Sequence, residues 1–394
     1  MKVLFINTVG GIGSTGKICV DLYNEISKEG NNCCIAFGRG TLSNDFTQYK
    51  IGGRLNVYSH LLASRILDNN GLSSKVATKK FIKFIESFNP DIINIHNLHG
   101  YYLNYKILFD FFKTKKYKIV WTFHDCWPFS SHAAFTELEN HDKKVSKKEL
   151  SEYPKTIGLN QSLRNYKQKK VSFSGLKDTH LVVPSLWMKK NLEKTFFNQY
   201  PITLINNGID KNIFYKKSKE NVNKDSFILG VANIWDQRKG LDFFVNLSKK
   251  VDDLIIIIGK LDKENKKKVS NCKNIKHIEQ TENREQLAEY YRQALVFLNP
   301  TLQDNYPTTN LEAIACGTPV ITFDTGGSGE VINKYTGILC KEKTVDSVLK
   351  SLELIKKNYD IGVYNSLGNV HNEFSKEKMV SEYLDLFKKI YSHQ

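Results

Sequence analysis

Short apolar runs alternate with amphipathic stretches along most of the chain. In the first half, residues 2–7, 33–37, 91–96, 118–123 and 181–184 are apolar runs of strand length with little polar alternation. Such runs are typical of strands that are buried on both faces of a parallel sheet. Apolar residues between the runs recur at helical spacing, as Ile18, Leu22 and Ile26 do. This alternation predicts a series of βα units.

A second series follows a hinge that we place at residues 197–201. Its strand candidates are residues 203–206, 227–232, 254–258, 275–278, 296–299 and 319–323. Two such series predict an α/β protein with two doubly wound parallel-sheet, Rossmann-like domains, at residues 1–198 and 199–373. An amphipathic helix is predicted over residues 374–391, and we expect residues 374–394 to pack back on the first domain. The polar stretch 140–170 is interpreted as a surface excursion with a helix or two.

The net charge is the feature of the composition that changes this picture. The 394 residues include 57 Lys and Arg against 41 Asp and Glu, which gives a formal net charge of +16. Such an excess favours an anionic partner, such as nucleic acid, an acidic membrane or a phosphorylated substrate, although a general composition bias explains it equally well. The lysines are not interleaved with aromatic residues as stacking platforms for bases would require, so nucleic-acid binding is the weakest of these readings.

Neither a membrane span nor a disulfide framework is expected. The longest aliphatic run, residues 254–258, has the length of a strand and falls far short of the roughly 18–20 residues of a spanning helix. The apolar run at the N-terminus is too short for a signal peptide. The seven cysteines are scattered without a C-x-x-C spacing, which fits a reducing cytoplasm.

A glycine-rich loop follows the first predicted strand. Gly11, Gly13 and Gly16 fit the pattern G-x-G-x-x-G of dinucleotide-binding proteins. However, Gly11 lies further from the predicted strand than that pattern usually allows, and the second strand ends near Arg39 instead of an acidic residue. We therefore expect the loop to contact an anion or a sugar. A tight structural turn and an NADP site that uses Arg39 are the alternatives.

Histidines and an aspartate follow the predicted strands 91–96 and 118–123. His96, His99, His124 and Asp125 all lie near strand ends, where the ligand crevice of an open α/β sheet forms. Such side chains could bind a transition metal. Because the residues lack helical i, i+4 spacing and supporting thiols, ordinary loop polarity is the preferred interpretation, and we expect no metal site.

The most informative stretch is residues 299–330, which reads NPTLQDNYPTTNLEAIACGTPVITFDTGGSGE. Seven residues separate Asp304 from Glu312, and Pro307 suits the first turn of a helix. Free backbone N–H groups of Thr308 and Thr309 at that helix start would attract phosphate. Glu312 could then hold the two hydroxyls of a ribose, and Asp304 could hold hydroxyls at the other end of the ligand. The alternatives are a helix-dipole carboxylate and a turn-forming aspartate.

Two basic residues follow the predicted strand 227–232. Arg238 and Lys239 would lie at the crevice side of the sheet, where they could stabilise the charge of a pyrophosphate leaving group. A dibasic surface turn is the alternative.

Several ordered motifs resemble those of family 4 glycosyltransferases of the GT-B fold, over nearly the whole chain. The family's E-x7-E signature maps onto Asp304 and Glu312 and is followed by LEAIACGTPVI and GGSGEVI. The NGID-x-x-x-F motif lies at residues 207–214 and VPS-x-W at residues 183–187. The glycine loop, NIHNLHGYYLN and TFHDCWPF resemble the branch of the family that builds polysaccharides.

The resemblance implies two domains facing a cleft and transfer from a nucleotide diphosphate sugar with retention at the anomeric carbon. It implies no metal and no cofactor. The implied catalytic residues are His124, Asp304, Arg238 and Lys239. The implied donor-binding residues are Gly11, Gly13, Asn305, Tyr306, Thr308, Thr309, Asn310 and Glu312. Two departures are Asp304, where the family has the longer Glu, and Asn233, where it usually has Arg.

The expected protein is a retaining glycosyltransferase of surface polysaccharide biosynthesis, which transfers a sugar to a hydroxyl of a glycan or a lipid-linked glycan. We expect it to be cytoplasmic and peripheral at the inner face of the membrane, where its positive charge would meet an anionic surface. A catalytically silent nucleotide-sugar-binding scaffold is the first alternative, motivated by Asp304 and Asn233. An NADP-dependent oxidoreductase is the second.

Overall fold

The computed structural model describes residues 1–136, 141–217, 227–360, 362–367 and 373–392. The chain folds into two compact units, Met1–Ile205 with Val380–Gln394 and Asn206–Met379. Each unit contains one sheet whose strands are all parallel, with helices in the connections. The predicted α/β class with two doubly wound parallel sheets is confirmed.

Among the described residues, the sheet of the first unit contains seven strands, in the order β3-β2-β1-β4-β5-β6-β7. The side chains of Leu4, Ile93 and Val120 are fully buried, as expected for strands covered on both faces. The order reverses between β1 and its neighbour β4, which places the ends of these strands at a topological switch point. The strands are β1 Lys2–Gly10, β2 Asn32–Gly40, β3 Gln48–Lys50, β4 Ile92–Ile95, β5 Lys118–Thr122, β6 Thr179–Val183 and β7 Ile202–Leu204.

The assignment of residues 203–206 to the second sheet was wrong. Strand β7 pairs with β6 of the first sheet. The residues that flank β7 extend this pairing with β6. The amide of Leu181 donates to the carbonyl of Pro201 at 2.8 Å, and the amide of Ile205 donates to the carbonyl of Val183 at 3.0 Å. The backbone pairing partner, which sequence does not specify, decides the sheet to which a short strand belongs.

The helices of the first unit surround a largely aromatic core. Trp121, Phe109, Phe173 and Phe197 are fully buried. The ring of Trp121 contacts Phe109 at a tilt and contacts Phe173 and Phe197 edge to face. The helices are α1 Gly13–Lys28, α2 Arg54–Leu67, α3 Lys75–Phe88, α4 Tyr105–Thr114, α5 Lys147–Leu150, α6 Ser162–Phe173, α7 Leu186–Leu192 and a 3-10 turn Phe196–Gln199.

The polar stretch 140–170 is only partly a surface excursion. Asn140 itself lies outside the described residues. Helix α6 buries its polar side, and the Nζ atom of Lys169 donates to the carbonyls of Trp127 and Ser130 at 2.7 and 3.1 Å. Burial lowers the pKa of Lys169 to about 7. The helix therefore has a solvated face at Arg164 and Lys167, as expected, and a buried face at Lys169, where backbone carbonyls replace water around the lysine.

The sheet of the second unit has six described strands in the order β10-β9-β8-β11-β12-β13. The strands are β8 Phe227–Ile234, β9 Leu254–Lys260, β10 Ile275–Ile278, β11 Val296–Asn299, β12 Val320–Phe323 and β13 Gly337–Cys340. The helices are α8 Leu241–Leu247, α9 Lys263–Ser270, α10 Arg284–Gln293, α11 Thr308–Ala315, α12 Val345–Asp360 and a 3-10 turn Val363–Ser366. Strand β13 was not predicted, since a four-residue edge strand that starts with glycine carries little periodicity.

The last helix, α13 Lys376–Ser392, agrees with the predicted amphipathic pattern. Its residues up to Met379 belong to the second unit, and those from Val380 belong to the first. Within the first unit, the phenol of Tyr383 lies 2.9 Å from the hydroxyl of Thr122 at the end of β5.

Candidate active site

In the second unit, the loop between β11 and α11 packs tightly on the glycine loop after β12. The amide of Gly327 donates to the carbonyl of Asp304 at 3.0 Å. Gly326 has a φ of 59°, and a Cβ atom there would lie 1.9 Å from the same carbonyl oxygen. Only glycine fits this close approach of two backbones. The glycines of the sequence pattern therefore fix the position of Asp304.

The carboxylate of Asp304 lies in a cluster of positive charge. Its Oδ2 atom is 2.5 Å from Nζ of Lys239 and 3.8 Å from Nη1 of Arg238. The amide of Asn305 donates to its Oδ1 atom at 2.9 Å. Burial alone would raise the pKa of Asp304, but the two cations and the amide outweigh burial and lower it. The cluster holds an ionised carboxylate and two cations, so its net charge is +1.

Arg238 and Lys239 lie on the loop between β8 and α8, at the predicted crevice side of the sheet. The Nη1 atom of Arg238 donates to the carbonyl of Gln303 at 2.9 Å. Gly240 follows with a φ of 78°, and a Cβ atom there would lie 2.2 Å from the carbonyl of Pro300. These contacts hold together two loops that are 65 residues apart in the sequence. The turn with Arg238 and Lys239 is therefore packed against the loop that carries Asp304.

Glu312 lies half-buried on α11, about one turn from the helix start at Thr308. Its Oε2 atom accepts a hydrogen bond at 3.1 Å from the phenol of Tyr291, which lies on α10 and is fully buried. Burial, and then the neighbouring carboxylate, raise the pKa of Tyr291. The phenol therefore stays protonated and orients one carboxylate oxygen. Thr308 and Thr309 form the half-buried first turn of the same helix.

Asn310 joins α11 to the surrounding loops. Its Oδ1 atom accepts from Nδ2 of Asn299 at 2.8 Å, and its own Nδ2 atom donates to the carbonyl of Ser328 at 3.0 Å. Asn310 is fully buried, and Asn305 and Tyr306 are 4% and 6% exposed. All three side chains are buried in this structure, and donor binding by them stays a prediction.

Two contributors to this site were missed in the sequence. Tyr291 lies 21 residues before Glu312 on another helix, and Asn299 lies at the end of a strand. Neither stands in a local pattern that indicates its partner, so only the fold reveals the contacts.

In the first unit, the glycine loop lies closer to the strand than we predicted. Strand β1 continues to Gly10, so Gly11 follows it directly. Gly11 and Gly13 have φ values of 67° and 66°, and a Cβ atom on Gly16 would lie 3.2 Å from the backbone of Gly11. Gly11 is therefore not displaced from the strand as we expected, because the polar residue Thr8 continues the buried strand beyond its predicted end at Asn7.

The side chains after β4 and β5 form two separate pairs. Nδ1 of His96 lies 2.8 Å from Nε2 of His124. Nε2 of His99 lies 2.7 Å from Oδ2 of Asp125. Burial lowers the pKa of His124 to about 4, against the opposing charge of Asp125. Among the residues that the structure describes, no group of three or more His, Cys, Asp or Glu side chains is arranged to hold a metal ion.

Two family profiles match the chain. Residues 16–212 match the family described as Glycosyltransferase Family 4, and residues 212–390 match that described as Glycosyl transferases group 1. The two profiles thus divide nearly the whole chain between them.

Individual proteins point the same way. An uncharacterised glycosyltransferase, MJ1178 of Methanocaldococcus jannaschii, is 29% identical over 50% of this chain, which spans only 54% of that relative. The putative colanic acid biosynthesis glycosyl transferase WcaC of Escherichia coli is 23% identical over 99% of this chain and 100% of its own length. The structure of HepE from Anabaena, in complex with UDP and glucose, superposes with a TM-score of 0.69 at 11% identity. The superposition covers 99% of this chain and 100% of the HepE chain. It shows that the two proteins share the GT-B fold.

Proposed function

Since the chain belongs to glycosyltransferase family 4, we propose that it is a retaining, metal-independent glycosyltransferase. It transfers a sugar from a nucleotide diphosphate sugar to a hydroxyl of a glycan or lipid-linked glycan during surface polysaccharide biosynthesis. The single observation that carries the proposal is the cationic cluster of Arg238 and Lys239 around Asp304, beside the first turn of α11. The bound UDP of HepE and the name of WcaC support the donor class and the pathway class.

Charge explains how such a site could dispense with a metal. Two cations face one carboxylate, and the positive end of the α11 dipole adds a partial charge at Thr308 and Thr309. A diphosphate that enters this region compensates the remaining positive charge. As the bond to the sugar breaks, these fixed groups would stabilise the charge that develops on the leaving oxygen. Lys239 then bridges Asp304 and the diphosphate.

The carboxylates bind neutral parts of the donor in this proposal. Glu312, oriented by Tyr291, accepts hydrogen bonds from the ribose hydroxyls, and Asp304 accepts them from the donor sugar. From the first unit, His124, Gly11 and Gly13 contribute to donor or acceptor binding. The leaving phosphate accepts the proton of the attacking hydroxyl, so that no dedicated general base is required.

The acceptor is proposed to lie at an anionic membrane surface, because α2 has its apolar side outward. Leu55, Tyr58 and Leu62 are 86%, 66% and 59% exposed, whereas the inward positions are His60 and Ser64. Nε2 of His60 accepts from the amide of Gly71 at 3.0 Å. Polar contacts hold the inward side of the helix against the protein. Its exposed leucines therefore remain available to an apolar environment such as the membrane interface.

The same surface continues beyond α2 and carries positive charge. Ile157 is 70% exposed, and its amide donates to the carbonyl of Arg65 at 2.9 Å. Arg54 and Arg65 are exposed, and α2 contains no acidic residue. An apolar strip with flanking arginines suits the interface of an anionic bilayer. Among the described residues, no helix is both long and apolar enough to span a bilayer.

A panel of nucleotide sugars with a lipid-linked acceptor tests the proposed transfer. We expect acceptor-dependent release of nucleoside diphosphate that persists in EDTA. The matched negative control is the double variant Lys239→Ala, Glu312→Ala. Release that never exceeds that of the control would count against the proposal. Donor binding without turnover on any acceptor would favour a silent binding scaffold, and binding of NADPH would favour an oxidoreductase.

A further inference from the structure

Asn94, His96 and His124 form a continuous hydrogen-bonded chain at the carboxyl ends of β4 and β5. Oδ1 of Asn94 lies 2.9 Å from Nε2 of His96, and Nδ1 of His96 lies 2.8 Å from Nε2 of His124. The two rings are nearly parallel at 13°, with centroids 5.1 Å apart. His96 and Asn94 are 1% and 0% exposed, so protein atoms have to satisfy their polar groups.

A backbone carbonyl determines which atoms donate and which accept in this series of hydrogen bonds. Nδ2 of Asn94 lies 2.9 Å from the carbonyl oxygen of Val120 and 3.4 Å from the hydroxyl of Thr122. A carbonyl can only accept a hydrogen bond. The amide nitrogen of Asn94 must therefore face Val120, because the reverse orientation would bring two oxygens together. The amide oxygen consequently faces His96 as an acceptor.

The protonation of both histidines follows from that orientation. Nε2 of His96 carries the proton that it donates to Asn94. A neutral imidazole has one N–H group, so Nδ1 of His96 accepts, and the donor in that bond is Nε2 of His124. As long as its ring is neutral, His124 has its proton on Nε2 and none on Nδ1.

The surroundings oppose a positive charge on either histidine. A second proton on His96 would place an N–H group of its Nδ1 atom against the N–H group of His124. The carboxylate of Asp125, the next residue along the chain, accepts from Nε2 of His99 at 2.7 Å and from the amide of Trp127 at 2.9 Å. Burial and His99 outweigh Asp125, and the pKa of His124 is lowered to about 4.

We propose that Asn94 and His96 are positioning residues that hold His124 as the neutral Nε2–H tautomer. In the proposed transfer, His124 is then neutral toward the leaving diphosphate, and its unprotonated Nδ1 atom can accept a hydrogen bond from a substrate hydroxyl but cannot donate one. The role of His124 toward the substrate rests on the proposed glycosyl transfer, whereas the tautomer of His124 and the cause of that tautomer do not.

Nitrogen NMR of the full chain, labelled with ¹⁵N-histidine, tests the tautomer without an activity assay. We expect a coupling across the hydrogen bond between Nδ1 of His96 and Nε2 of His124. We also expect an unprotonated Nδ1 on His124 from pH 5.5 to 8. The variants His96→Asn and His124→Asn assign the signals. A proton on Nδ1 of His124, or an imidazolium at pH 7, would overturn the proposal.

Two substitutions of His96 separate positioning from packing. In His96→Asn, Oδ1 takes the place of the accepting Nδ1 atom, whereas His96→Phe keeps the ring and removes the acceptor. With equal melting temperatures, we expect His96→Phe to raise the KM for the donor about tenfold, the equivalent of one hydrogen bond. His96→Asn keeps the acceptor but loses the contact with Asn94, so we expect it to raise the KM less. Equal losses in both variants would contradict the positioning role. If the wild-type protein showed no transfer, the NMR result alone would decide the tautomer, and only the proposed function would fail.

Discussion

Nζ of Lys239 lies 2.5 Å from Oδ2 of Asp304, so a residue that we expected to bind diphosphate contacts one that we expected to bind sugar. The side chains are 21% and 16% exposed. A pair that is open to solvent on one side can retain its contact and still accept an anion from the other. This contact links the two halves of the proposed donor site.

Replacing Lys239 by Ala should weaken donor binding about 10-fold to 100-fold, because one of two cations of the cluster is lost. Calorimetry with the nucleoside diphosphate measures the change. Lys273→Ala, on an exposed loop of the same unit, is the charge-matched control. Equal affinities in the two variants would show that the diphosphate binds elsewhere.

Replacing Asp304 by Glu should retain or improve transfer, because the added methylene restores the longer acid of the E-x7-E signature. The backbone contacts with Gly326 and Gly327 involve the carbonyl and are unaffected by the longer side chain. Initial rates at saturating donor measure the effect. A folded variant without donor affinity would refute the role given to this position.

Replacing Tyr291 by Phe should reduce nucleotide affinity several-fold and destabilise the protein by about 1 kcal/mol, since one hydrogen bond to Glu312 is lost. Tyr290→Phe is the matched control on the same helix. Nucleoside and nucleoside diphosphate titrations compare the two variants. The loss should appear with the nucleoside as well, and a loss confined to the diphosphate would contradict a ribose contact by Glu312.

The lowered pKa of Asp304 predicts a stability difference in acid. A carboxyl group whose pKa is lower in the folded state than the ordinary value of 3.8 stabilises the fold above that value. This stabilisation is lost as the pH falls through the folded pKa. Thermal melting from pH 7 to pH 3 should therefore show a wild-type advantage over Asp304→Asn near neutrality that shrinks below pH 4. An advantage that grew in acid would have the wrong sign.

Leu62→Glu should reduce binding to vesicles that contain anionic lipid at least tenfold, because it places a charge in the apolar strip of α2 and repels the surface. Leu354→Glu, at an exposed leucine of α12, is the control. Cosedimentation with phosphatidylglycerol and phosphatidylcholine vesicles measures both. Equal binding by the two variants would contradict membrane contact through this strip. The strip would then contact another partner, such as a second copy of the chain, which ultracentrifugation would reveal.

Local periodicity predicted the architecture well, because the patterns of buried parallel strands and amphipathic helices are set by residues that are close together in the sequence. It failed where a long-range contact decides, as with strand β7, which pairs with β6. The motif residues Asp304, Glu312 and Lys239 were predicted, but the contacts Lys239–Asp304 and Tyr291–Glu312 join distant segments. The histidines looked like one group in sequence, whereas the fold separates His96–His124 from His99–Asp125.

The stereochemistry of the product shows whether the protein is a retaining glycosyltransferase. The purified protein, a nucleotide sugar that it consumes and a lipid-linked acceptor are incubated with EDTA, and proton NMR of the product gives the anomeric configuration. A retaining transferase gives a new glycosidic bond with the same anomeric configuration as the donor, and we expect no such product from the Lys239→Ala, Glu312→Ala double variant. An inverted product, or a product formed equally by the double variant, would contradict the proposal.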